Sequence, residues 1–195
     1  MITVAILAWL ATAPPKAQAS GPTPSSPQRV GDAIKEPKKL KNVPPSYPED
    51  AQRAGLQGIV FIECVIDPKG KVDSVKVLKG VPPLTDAATK AVKQWRYTPT
   101  LLNGVAIPVI MTVTSNFHLE GQFDLNDLLH SLKSNNEFIR EAAVTRLGDA
   151  RLGPGQDPGD LARIDRELKR LAESDPSERV QTASRQALEK LPGPK

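Results

Sequence analysis

Between Leu84 and Pro99 the sequence spells out one helix and its end. Leu84, Ala87, Ala88, Ala91, Val92 and Trp95 recur at the spacing of a single apolar helix face, with Thr85, Asp86, Lys90 and Lys93 opposite. The central alanines let that face lie close to its partner, and Trp95 closes it with the largest side chain available. Pro99 forbids further helix and biases Thr98 towards an extended backbone. So narrow a face needs a flat partner, and alternating segments on both sides of it in sequence supply one.

Those segments read as strands. From Gly58 to Ile66, Val60, Ile62, Cys64 and Ile66 fall on one face and Ile59, Phe61, Glu63 and Val65 on the other. Asp67-Pro68-Lys69-Gly70 is a tight turn, and Val72–Lys79 returns from it. Asn103-Gly104 marks another turn before a third strand, Ile107–Leu119. In that strand Val109, Met111, Val113 and Phe117 face one way; Ile110, Thr112, Thr114, Asn116 and His118 face the other. A short helix precedes everything, entered through Tyr47-Pro48 and stopped at Gly55. The order is helix, strand, strand, helix, strand: an α+β layer with a helix on one face of a three-stranded antiparallel sheet.

Tyr47-Pro48, Ala51, Gly55, Gly58, Asp67-x-x-Gly70, Leu84 with Ala87 and Ala88, Trp95-Arg96-Tyr97-x-Pro99 and Asn103-Gly104 occur in the order and at the spacings of the TonB C-terminal domain. The resemblance covers residues 43–119 and makes Tyr47, Pro48, Gly55, Gly58, Gly70, Trp95, Arg96, Tyr97, Pro99, Asn103 and Gly104 structural motif positions. It implies a periplasmic module that grips the N-terminal segment of a TonB-dependent outer-membrane transporter. In the family that segment adds as a strand beside the domain's last strand, a mode in which backbone bonds supply the affinity. Carried onto this chain, the receiving edge is Ile110, Thr112, Thr114 and Asn116, and a second partner-binding stretch is Val43, Pro44, Pro45 and Ser46. A Thr-rich terminal strand with unpaired backbone groups agrees with that expectation physically. A linker, a second copy of the domain, giving a homodimer, and the downstream helices are the other candidates for covering the edge.

Ile2–Ala13 is an apolar run followed by Pro14-Pro15 and Ala17-Gln18-Ala19, which reads as a signal peptide over residues 1–19 with an A-x-A cleavage site. The expectation is export to the periplasm. Left uncleaved, residues 2–13 would anchor the chain at the inner membrane, although they are too short to span it. Energy-transducing relatives carry an intramembrane histidine for contact with inner-membrane motor proteins, and residues 2–13 contain none. Residues 20–42 are Pro-rich and lack apolar periodicity, so they read as an extended linker reaching roughly 3 Å per residue. Lys35, Lys38, Lys39 and Lys41 hold part of the net charge of +4, but no aromatic interleaving accompanies them, which argues against nucleic-acid binding.

Catalytic and metal chemistry find no foothold, and no cofactor is expected. The two histidines, His118 and His130, lack ligand spacing to any partner, and no nucleophile elbow, phosphate loop or dinucleotide fingerprint is present. Cys64, the single cysteine, alternates with Val60, Ile62 and Ile66 and reads as a small buried hydrophobe.

Residues 124–191 change to helical periodicity: Leu125, Leu128, Leu129, Leu132; then Ile139, Ala142, Ala143, Leu147; then Leu161, Ile164, Leu168, Leu171; then Val180, Ala183, Ala187, Leu188. Ile139 and Val180, Ala142 and Ala183, and Leu147 and Leu188 are each 41 residues apart. Two helix pairs at that period resemble HEAT repeats, with Arg140 and Glu141 at the pattern's charged positions. Two repeats bury little surface, so these helices are expected to pack on the α+β domain or to form a docking surface. Two function classes follow: a TonB-like module that binds a transporter segment, and an envelope scaffold acting through its helical repeats.

Overall fold

The computed structural model describes residues 26–31, 34–121, 123–151 and 157–190. The signal-peptide reading of residues 1–19 lies outside them. In chain order the elements are β1 (Gln28–Arg29), β2 (Lys39–Lys41), α1 (Glu49–Arg53), β3 (Gly58–Ile66), β4 (Val72–Lys79), α2 (Pro82–Val92), β5 (Arg96–Tyr97), β6 (Thr100–Leu102), β7 (Val105–Ile107) and β8 (Val109–Phe117). Four helices follow: α3 (Leu125–Ser131), α4 (Glu137–Arg151), α5 (Pro158–Ser174) and α6 (Glu178–Glu189). Among the described residues no helix is long and apolar enough to cross a membrane.

The central sheet runs β1-β8-β3-β4. β3 pairs antiparallel with β8 over its whole length, from Gly58↔Phe117 to Ile66↔Val109, and antiparallel with β4 on its other side. Alternation fixes that register. Val60, Ile62, Cys64 and Ile66 of β3, with Val109, Met111, Val113 and Phe117 of β8, are buried on one face, and Leu84, Ala88 and Val92 of α2 join the same core. A one-residue slip would turn that whole set to solvent.

The sheet departs from the expected three antiparallel strands in two respects. A fourth strand, β1, comes from the segment read as a linker and pairs parallel with β8. β2, from the same segment, pairs antiparallel with β5. Proline-rich composition disfavours regular secondary structure but leaves donors and acceptors on residues between prolines, and here they find partners. The third strand is also divided. Pro108, which has no N–H to give a ladder, separates β7 from β8, and β7 instead forms a hairpin with β6 across Asn103-Gly104. Both turn residues have positive φ, 52° and 80°, the geometry a two-residue hairpin loop requires.

Helix α2 ends at Val92, one turn before Trp95, and 3₁₀-type bonds from Gln94 N to Ala91 O and from Trp95 N to Val92 O tighten its exit. Trp95 is buried all the same, because Arg96 and Tyr97 must turn into β5 to meet β2.

The helical region packs on this sheet domain through one continuous apolar core that takes in Leu128, Leu132, Ile139, Val144 and Leu147. Arg146 of α4 donates to the Gly55 carbonyl at 3.3 Å and lies over the Phe123 ring. Gly55 has φ +66°, and a Cβ there would sit 2.9 Å from the Arg146 side chain, so the α1 stop is also the seam between the two regions. Asp124 caps α3, accepting from the Asn126 and Asp127 amides, and Asp157 caps α5 in the same way. Helices α4 and α6 lie closely side by side: a Cβ on Gly148 would be 3.0 Å from that of Ala187.

The two helical hairpins are stapled by charge. Arg140 donates from Nε and Nη2 to the two Asp175 carboxylate oxygens at 2.9 and 2.8 Å, and from Nη1 to the Ser134 carbonyl. Both side chains are almost fully buried. Asp175 also accepts from the Ser177 amide, and its own carbonyl accepts from Gln181. Thus the turn before α4 is tied to the turn before α6.

Candidate functional site

In β8 the alternation that buries the odd-numbered side chains also sorts the backbone. Within a strand, a residue's N–H and C=O point to the same side, and successive residues point to opposite sides. Pro108 and Ile110 send their carbonyls away from β3, where they accept from Gln28 and Val30 at 3.1 and 3.0 Å. The same period directs the backbones of Thr112, Thr114 and Asn116 to that outer side. Beyond Ile110, no strand among the described residues pairs there. The side chains of Thr112, Thr114 and Asn116 are exposed and that of Ile110 is half-buried. From Met111 to Phe117 this open rim is roughly 20 Å long at about 3.3 Å per residue.

Val43, Pro44, Pro45 and Ser46 lie elsewhere. Their anchor is the indole of Trp95, which donates from Nε1 to the Val43 carbonyl at 2.8 Å. Val43, Pro44 and Ser46 line an open groove of about 600 Å³ whose other wall is α2, including Ala87 and Lys90, with Gln94 just beyond its end. Tyr47 links this stretch to the rim: its hydroxyl donates to the Leu56 carbonyl, and its ring stands edge-on to Phe117 with centroids 5.3 Å apart. Burial raises the Tyr47 phenol above its usual value, with Arg146 opposing the rise.

The motif residues clip neighbouring segments to the sheet. Gly70 (φ +81°) accepts from the Tyr97 amide at 2.8 Å, and a Cβ on it would sit 1.9 Å from the Tyr97 carbonyl oxygen. Asp67 holds the same turn by accepting from the Lys69 and Lys71 amides. The turn and the Trp95–Pro99 segment, far apart in sequence, are therefore a single joint. Thr98 and Lys38 exchange two bonds across it.

Residues of the apparent linker make contacts that the sequence reading did not assign. Lys39 Nζ stands 3.2 Å from the Trp95 ring centroid, and desolvation there lowers its pKa. Arg29 of β1 meets Glu63 of β3 at 2.7 Å. Val30 and Ile34 pack against the core. These apolar residues, four apart around Gly31, were the available signal; two or three residues are too few to show a period.

Cys64 is fully buried, and burial pushes its thiol up to about 11 against a smaller opposing effect of Lys39. His118 is exposed and bonded to Gln57; His130 is exposed on α3. Among the described residues no three His, Cys, Asp or Glu side chains gather as a metal site. The geometry offers backbone pairing along β8 and a groove beside α2, the means of holding an extended chain.

A second surface lies on the helices. Asn126, Leu129, His130 and Lys133 of α3 and its C-terminal turn, with Arg163 and Arg166 of α5, line a groove of about 350 Å³.

Residues 43–119 match the family model described as the Gram-negative bacterial TonB protein C-terminal. Protein TonB of Vibrio cholerae is 31% identical over 112 residues, covering 55% of this chain and 46% of that protein. Protein TonB of Pseudomonas aeruginosa is 30% identical over 111 residues, covering 56% and 31%. This chain therefore spans less than half the length of these curated relatives. A solution NMR structure of the Pseudomonas aeruginosa TonB CTD aligns with 48% of this chain and 95% of its own, at 29% identity and a TM-score of 0.39. Over residues 43–119 this chain is therefore similar to the C-terminal domain of TonB proteins.

Proposed function

We propose that this chain is a periplasmic TonB-family protein that binds, rather than catalyses, and whose guest is the N-terminal segment of a TonB-dependent outer-membrane transporter. The guest adds as a strand to the outer side of β8, and Val43–Ser46 with the α2 groove offers it a second contact. The single observation that carries this reading is the β8 rim: backbone from Thr112 to Asn116 that pairs with no strand among the described residues, continuous with Pro108 and Ile110, whose carbonyls already accept an added strand. Transport is then supported by tethering the transporter; coupling to inner-membrane motor proteins would need a part of the assembly outside the described residues.

Thr112→Pro tests the reading. The Thr112 N–H points away from β3, so proline removes a donor from the guest's side without removing a rung of the β3–β8 ladder. Isothermal titration of the full chain with synthetic transporter N-terminal peptides should show binding that Thr112→Pro abolishes. Binding that survives the change, in a variant with unaltered circular dichroism, refutes strand addition at this edge.

A second reading gives the main contact to the helices. In its favour, two of the three pairs 41 apart share their environments: Ile139 and Val180 are both buried, and Ala142 and Ala183 are both half-buried, whereas Leu147 is buried and Leu188 half-buried. The two hairpins would then be HEAT-like units, with the basic α3–α5 groove as their docking surface. Thr112→Pro leaves that contact intact, so the same titration separates the two readings.

A further inference from the structure

The first part of the β8 rim is not vacant. β1 runs parallel to β8 in the register Gln28↔Val109 and Arg29↔Ile110, held by the bonds from Gln28 N to Pro108 O and from Val30 N to Ile110 O. Arg29 then reaches over β8 to Glu63 on β3, itself opposite Thr112. Continued in the same direction, the segment would run on along Thr112 and Thr114. It leaves the rim instead: Gly31 and Ile34 bond to each other, N–H to carbonyl in both directions, and fold the chain back.

We propose that Gln28–Val30 is a resident strand occupying the head of the guest site in cis, which an incoming guest must displace to gain the Pro108 and Ile110 carbonyls. The inference rests on the strand-addition reading above. The resident is held weakly enough to leave. It is a strand of only two residues, and its ion pair is solvent-exposed on the arginine side, where such pairs contribute little. It is also leashed. Lys38 is bonded to Thr98 on both backbone and side chain, β2 is paired with β5, and Lys39 is seated on Trp95. A displaced Gln28–Val30 therefore stays at high local concentration and closes again when the guest departs. The device makes affinity a competition: a guest shorter than the whole rim gains Thr112–Asn116 alone, and a longer one must outbid the chain's own strand.

The test uses the full chain carrying Arg29→Cys and Ile110→Cys. These residues are paired neighbours, within reach of a disulfide, and buried Cys64 stays out of the exchange. Fluorescence anisotropy with labelled synthetic peptides copying transporter N-terminal segments then compares oxidised and reduced protein. The expected result is binding about tenfold weaker when the disulfide locks β1 in place, recovered on reduction. Val30→Pro, which removes one resident bond without altering β8, should bind the same peptides several-fold tighter than the unaltered chain.

Equal affinities for oxidised, reduced and Val30→Pro proteins would overturn the resident-strand proposal while leaving strand addition standing. Failure of the two cysteines to cross-link under oxidant would overturn it as well, by showing that Arg29 does not lie beside Ile110. Absence of peptide binding in every form, with the cross-link nonetheless formed, would remove the strand-addition reading and this proposal with it.

Discussion

Arg140→Ala should be among the most damaging single substitutions in this chain. The guanidinium makes two bonds to Asp175 and one to the Ser134 carbonyl, and its exposure is 7% against 4% for Asp175. Removing it leaves a buried carboxylate with the Ser177 amide as its remaining donor among the contacts described, and breaking one side of a buried pair costs about 3–5 kcal/mol. For a chain of this size that corresponds to a fall in Tm of roughly 6–20 °C, read by thermal circular dichroism at 222 nm, where helix dominates. The pH dependence gives a second handle. Burial pushes the Asp175 carboxyl up, but hydrogen bonds from Arg140 and the Ser177 amide, with the charges of Arg140 and Arg170, outweigh it and leave the group below its ordinary value of 3.8. A carboxyl depressed in the folded state contributes stability that is present above the unfolded value and is lost as pH falls through the folded one. The native protein should therefore lose this contribution below about pH 3.8, and Arg140→Ala should unfold in acid at a higher pH. A Tm change under about 2 °C, or an unchanged acid midpoint, would refute the staple as a stabilising element.

Two further changes test the joint and the core. Gly70→Ala places a Cβ against the Tyr97 carbonyl at positive φ and should cost at least about 2 kcal/mol in urea unfolding, whereas Gly104→Ala, also at positive φ but with open space around it, should cost about 1. Comparable losses for the two would show that the turn and the Trp95–Pro99 segment are not coupled. Cys64, with its thiol at about 11, should resist alkylation at pH 8 in the folded protein and react at once in denaturant; rapid labelling of native protein would contradict its burial.

The parts of this fold that can be read from sequence are those whose signal is local and long. β3 shows four inward residues in nine positions, and the four C-terminal helices each carry three or more apolar residues at helical spacing, so their faces agree with the structure. Gly55, Gly70 and Asn103-Gly104 marked turns because no other chemistry fits those φ values cheaply. Val77, on the edge strand β4, is 39% exposed, so alternation alone does not tell how deeply an edge strand is covered. β1 and β2 escaped for a different reason: they are two and three residues long, and their partners lie tens of residues away. Pairing over that separation leaves no period to detect. The TonB-type motif residues were legible as a set. What they do, which is to clip Val43 and Lys38 to the sheet around Trp95 and Thr98, needed coordinates.

The rim itself is the claim on which the rest depends, and amide chemical-shift mapping of the full chain during titration with transporter N-terminal peptides addresses it directly. Strand addition predicts that the Thr112, Thr114 and Asn116 amides move most and become protected from hydrogen exchange, and that Thr112→Pro erases the response. Shifts confined to Lys133, Arg163 and Arg166 on the helical groove, with the β8 amides unmoved, would contradict it.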